Sequence, residues 1–160
     1  MHSQKGRFKV ASASTKLRNH CDRLRSLHQP GKPLLLPKVW DVATAGAVVK
    51  AGFPVVATTS WGVAESLGYG DHEAPPVAEM LAAAARISRG VDVPVTVDAE
   101  AGYGMEPAAL VAALRDAGAA GCNLEDTEYT PGVPFDHAAG TLRDVTQHAK
   151  WLRSVRKAAV

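Results

Sequence analysis

Four short apolar runs, LLLP (34–37), PVVATTS (54–60), VPVTVDAE (93–100) and GCNLED (121–126), are each followed by a segment with helical spacing. This alternation constrains the chain more than any other feature. Parallel strands cannot be joined by a tight turn and need a crossover, normally a helix. Strands that are apolar throughout, rather than alternating, are those of a sheet with both faces covered. The expectation is therefore an α/β fold, a parallel sheet wrapped by helices. An opening helix, STKLRNHCDRLRSLH (14–28), has Ser14 or Thr15 as its cap and is stopped by QPGKP. The strands then alternate with helices over 41–52, 75–90, 106–118 and 141–158. In the 75–90 segment Val77, Met80, Leu81, Ala84 and Ile87 recur at helical spacing behind Pro75 and Pro76. In the last, Thr141 and Asp144 have capping-box spacing. Residues 127–140, TEYTPGVPFDHAAG, read as a loop.

Of the 160 residues, 46% are hydrophobic and 21% charged, enough for one core and one domain. The net charge of +2 is too small to point to nucleic acid. No apolar run is long enough to span a bilayer, so neither nucleic acid nor membrane is an expected partner. Residues 1–13 carry Lys5, Arg7 and Lys9 with no acid and no apolar signal-peptide core, and read as a flexible basic tail before a domain at 14–160. Cys21 and Cys122 match no zinc or redox spacing. They read as reduced, partly buried thiols of a cytoplasmic protein.

Ligands of parallel α/β proteins bind at the carboxyl ends of the strands. There this chain places Trp40 and Asp41, then Thr58, Thr59 and Ser60, then Asp98 and Glu100, then Asn123, Glu125 and Asp126. Period-two alternation puts Asp98 and Glu100 on one face. Three carboxylates converging from Asp98, Glu100 and Glu125 would repel one another unless a cation lay between them, and an all-oxygen donor set suits Mg²⁺ or Mn²⁺. Gly102 and Gly104 would let the next turn approach a ligand closely. The plainer reading of each acid, a helix cap or a solvated loop carboxylate, is as good as the functional one for Asp71 and Asp126, and weaker for the other three.

The stretches LLLPKVWDVATAGAVVKAGFPVVATTSWGVAESLGYGD, VPVTVDAEAGYG and AGAAGCNLED, in this order and spacing, resemble the isocitrate lyase/phosphoenolpyruvate mutase superfamily, on its phosphoenolpyruvate mutase-like branch. The likeness runs from about Leu24 to the C-terminus. It implies a (β/α)8 TIM-barrel fold with an extra N-terminal helix, and an enzyme that makes or breaks a C–C or P–C bond next to a 2-oxo acid through an enolate. It further implies Asp98 as the direct Mg²⁺ (or Mn²⁺) ligand, with Glu100 and Glu125 holding the metal's waters and Asp71 as a further acid of that network. Thr59, Ser60 and Trp61 would grip the carboxylate of a small oxo-acid substrate, Thr59 and Ser60 with catalytic roles. Trp40, Asp41, Gly102 and Asn123 would complete the binding surface.

Several features depart from the superfamily pattern. The loop after the fourth strand has neither the Cys nor the Lys of the lyase branch, which argues against an isocitrate or methylisocitrate lyase. Asp136 and His137 are its candidate acid/base groups, though an ordinary loop acid and loop histidine account for both. Lys38 stands where a small or amide residue is usual, either facing the pocket or turned outward. Trp61 is bulkier than the usual residue. Only four strand–helix units are present, whereas such a barrel takes about 250 residues. A truncated product is expected, or else a homo-oligomer whose copies close the sheet. A non-catalytic alternative is also compatible: a remnant serving as a pairing or regulatory module, its basic N-terminus and last helix meeting acidic partners.

Overall fold

The computed structural model describes residues 4–129 and 140–160, with side chains from residue 14 onward. The elements run α1 (Gln4–Leu27), β1 (Lys38–Val39), α2 (Val42–Lys50), β2 (Val56–Thr58), α3 (Ser60–Leu67), α4 (Val77–Gly90), β3 (Val95–Asp98), α5 (Pro107–Asp116), β4 (Gly121–Asn123) and α6 (Val145–Ala158). The four strands form one sheet in the order β1-β2-β3-β4, every pair parallel. The expected α/β alternation is thus present, with α3 as an addition.

Local chemistry sets most boundaries. Asp41 caps α2 in a reciprocal capping box with Thr44, its carboxylate accepting the Thr44 N–H at 2.7 Å. Pro107 opens α5, where its missing N–H costs nothing. Elsewhere the structure corrects the expected bounds. The first helix begins at Gln4, within the segment read as a tail, because that segment holds good helix formers and no proline. The first apolar run is not a strand. Pro33 and Pro37 lack the N–H a ladder needs, Leu35 is exposed, and pairing begins only at Lys38. The α3 helix, not anticipated, is a short one ended by Gly68 in the left-handed conformation. The last helix starts at Val145 with Asp144 as its cap, bonded to the Gln147 N–H at 2.9 Å. Thr141 takes no part in it. Its carbonyl accepts the Glu128 N–H instead, beside a bridge between Thr127 and Leu142.

The register decides which side chains share a face. Lys38 pairs with Ala57, Ala57 with Thr96, and Thr96 with Gly121, so these form one row across the sheet. The next row, Val39, Thr58, Val97 and Cys122, points to the opposite face. Val39, Val56, Val95 and Val97 on that opposite face pack into the main core with Ala45, Ile87, Leu110 and Leu114 of the covering helices. Lys38's row faces the other way, where a closed barrel would have its interior. At its β4 end Leu24 of α1 lies against Gly121, at a distance that a Cβ there would bring to 2.8 Å. Helices α2, α4 and α5 thus cover one face, and the other meets Leu24 of α1 at its β4 end. Cys122, on the edge strand, is exposed rather than partly buried.

Candidate active site

Asp98 ends β3 on the same face as Lys38's row, two residues beyond Thr96. Its register partner on β4 is Asn123, whose side-chain amide donates to Asp98 Oδ1 at 2.8 Å. From the other side Ser60, the first residue of α3, offers both its N–H and its hydroxyl to Oδ2, each at 3.3 Å. The Asp98 backbone N–H donates to the buried Thr58 hydroxyl at 2.8 Å. Lys38 points into this site rather than outward. Its ammonium donates to the Thr58 carbonyl at 3.1 Å and lies 3.8 Å from Asp98 Oδ2. Asp98, Ser60, Asn123 and Lys38 thus meet from four consecutive strand ends.

Glu100 lies past the end of β3, so strand alternation does not set its direction. Its φ is +47°, in the left-handed region. The side chain is 1% exposed and reaches the loop after α3, where Oε1 accepts the Glu73 N–H at 2.7 Å. Glu73 replies by accepting the Tyr103 N–H at 2.8 Å. His72, Glu73, Glu100 and Tyr103 are the described non-glycine residues with positive φ, and all lie in these two loops. Strain of this kind persists only where surrounding contacts over-determine it, and here each loop bonds the other's backbone. Glu100 Oε2 is buried with no hydrogen-bond partner. Burial, together with the nearby Glu73 and Asp71 carboxylates, pushes the Glu100 carboxyl up to about 7. Burial likewise raises Glu73. Burial and then Glu100 raise the Tyr103 phenol.

Glu125 faces a third direction, its Oε2 accepting the Tyr129 hydroxyl at 2.9 Å. Tyr129 packs on His72, their rings 5.8 Å apart, which ties the β4 end to the Asp71 loop. Among the described residues no three His, Cys, Asp or Glu side chains gather closely enough to ligate one ion directly. Asp98, Glu100 and Glu125 therefore do not form one direct ligand cluster among the described residues. The left-handed turn at Glu100 brings it to the Glu73 amide, and Glu125 is held by the Tyr129 and Thr127 hydroxyls. The donor set still fits a hard cation that takes one carboxylate and otherwise keeps its water, as Mg²⁺ does. The carboxylates of Asp71, Glu73 and Glu100 are crowded, and one Glu100 oxygen is buried without a partner.

The remaining candidates divide. Thr59 caps the backbone of α3 but makes no side-chain capping bond, and Trp61 stands 60% exposed in the first turn. Trp40 is half-exposed at the rim, while Asp41 is engaged in capping α2, its carboxyl lowered by the Thr44 amide. The room left by Gly102 is not open to a ligand. A Cβ there would meet the Trp151 ring at 2.7 Å and Leu110 at 3.3 Å. Asp136 and His137 lie outside the described residues. The sequence reading missed Glu73, Tyr103 and Tyr129. Glu73 sits two residues after Asp71, but nothing in its neighbours announces that the loop folds back onto Glu100.

Fold and site together define a class: a parallel, barrel-type α/β unit with acids and a helix N-terminus gathered at its strand ends. The phosphoenolpyruvate phosphomutase family model matches residues 24–160, and the chain belongs to this family, within the phosphoenolpyruvate mutase/isocitrate lyase superfamily. An uncharacterized protein of Mycobacterium tuberculosis (strain ATCC 25618 / H37Rv) is 40% identical over 102 residues, covering 63% of this chain and 39% of that protein. A structure from Burkholderia cenocepacia J2315, provisionally assigned as a phosphonomutase, superimposes with a TM-score of 0.76 at 43% identity, over 88% of this chain and 55% of the other. A 2,3-dimethylmalate lyase structure superimposes with a TM-score of 0.72 at 28% identity, over 91% of this chain and 48% of the other. The chain thus spans about 40–55% of the length of these relatives, and its four strands match part of a TIM barrel. Among the described residues no helix is long and apolar enough to cross a membrane.

Proposed function

We propose that this chain carries the cation- and oxo-acid-binding part of an enzyme that makes or breaks a C–C or P–C bond next to a 2-oxo acid. The observation that carries the reading is Asp98, a nearly buried carboxylate aimed from a strand end and held in one orientation by Ser60 and Asn123. Family membership supports it, as do the names of the similar proteins, a phosphonomutase and a lyase. Asp98 would hold Mg²⁺ or Mn²⁺ directly, with Glu100, Glu125 and Asp71 around it. The cation, when bound, supplies the positive charge that polarises the 2-oxo group and stabilises the enolate. The protein's own part is orientation. Ser60 fixes Asp98 while the following first-turn amides of α3, which have no intrahelical acceptor, face a substrate carboxylate. The half-exposed Trp40 and the exposed Trp61 limit the size of the acid at the rim.

A thermal melt with and without Mg²⁺ plus oxalate, a mimic of an oxo-acid enolate, tests the reading. The melting temperature is expected to rise only with both present, and not in Asp98→Ala. A melt indifferent to the pair rejects it. A second reading, that the chain works as a homo-oligomer, is favoured by β1 and β4 standing at the sheet edges among the described residues.

A further inference from the structure

Asp98 Oδ1 accepts the Asn123 amide, while Oδ2 accepts from Ser60 and faces the Lys38 ammonium, so a cation approaching Oδ2 meets that positive charge. Asn123 is Asp98's register partner on the neighbouring strand, and Ser60 is fixed by the start of α3. Lys38 differs. Its side chain is 51% exposed, its flexible stem leaves from the edge strand β1, and its ammonium bonds the Thr58 carbonyl while facing Asp98 Oδ2 at 3.8 Å. The register explains why a lysine from two strands away can reach. Lys38 and Thr96 lie in one row, and Asp98 stands one step further along the same face. A charge so placed neutralises Asp98 and repels any second cation arriving there.

We infer that Lys38 is a tethered counter-ion: it occupies Asp98 when no divalent cation is bound, and loading the site requires its ammonium to leave. This inference rests on the proposed cation site. The side chain is a positioning residue that sets cation affinity. Its consequence is weak binding of divalent metal by the wild-type chain, relieved when the charge is removed.

The test titrates the 160-residue chain with Mn²⁺, read by the paramagnetic resonance of free ion, in wild type, Lys38→Met, Lys38→Gln and Asp98→Asn, each checked for an unchanged circular-dichroism spectrum. Lys38→Met and Lys38→Gln are expected to bind Mn²⁺ roughly fivefold more tightly than wild type, the size of a partly screened ion pair. Asp98→Asn is expected not to bind. In parallel, acetylation of the Lys38 amine, followed by mass spectrometry, is expected to speed up when Mn²⁺ is added to wild type and not to Asp98→Asn. Equal or weaker Mn²⁺ binding in both Lys38 variants overturns the inference while leaving the cation site standing. Absence of binding in every variant overturns both.

Discussion

At Glu100 a carboxylate is held almost wholly out of water, Oε1 on the Glu73 amide and the group beside the Tyr103 phenol. Burial comes first among the causes, and the crowding of Glu73 and Asp71 adds to it, so the group releases its proton near pH 7 when folded and near 4.5 when unfolded. Between these values the folded chain keeps a proton that the unfolded chain has lost. Stability is therefore full below about pH 4.5 and declines as pH rises through 7, by no more than about 3 kcal/mol. Melting temperatures measured from pH 4.5 to 8 are expected to fall, and Glu100→Gln is expected to flatten that slope. An equal slope in the variant would place the titration elsewhere. The sequence announced that Glu100 matters, since two acids closing an apolar run are costly to bury. It could not announce which way Glu100 turns, because that depends on a left-handed φ secured by Glu73, 27 residues away.

Among the elements, the turn after β3 and the helix α6 are packed as one unit. Gly102 has φ +91° and is faced by the Trp151 ring, which stacks on His148 and has the Arg143 guanidinium 5.6 Å from its centre. Gly104 has φ +64° and open space around it. The two glycines look alike in GYG, yet substitution should separate them. Gly104→Ala incurs only the left-handed backbone penalty, about 1 kcal/mol. Gly102→Ala adds a clash with a core aromatic and is expected to cost about 2–4 kcal/mol. Urea unfolding of both variants checks this, and similar midpoints would mean that Trp151 moves aside at little expense. Helix positions were legible from apolar spacing, as for Ile87 and Met80 of α4, whereas Asp41, read as part of the binding surface, caps α2. The short strand β1 was not, since LLLP looks more strand-like than the KV that pairs.

For the whole molecule, β1 and β4 stand at the two edges of the sheet among the described residues, and several apolar side chains outside the sheet are exposed. Leu35, Leu142 and Val145 are each at least two-thirds exposed. Backbone groups at the β1 and β4 edges offer a template for another strand. Sedimentation velocity over a range of concentrations is expected to show self-association of the chain. A monomer at every concentration would remove the homo-oligomer reading and leave the exposed apolar faces to another partner.

Legible in the residues alone were the parallel α/β architecture, the helices between its strands and the acids at its strand ends. These follow from periodicity, capping and residue type, which are local. How that cluster of acids is divided emerges only from the packing of distant segments. Asp98 went to Ser60, Asn123 and Lys38, Glu100 to Glu73, and Glu125 to Tyr129. Each pairing joins elements brought together by sheet register and loop closure, and neither register nor a left-handed turn is written in the residues of one segment.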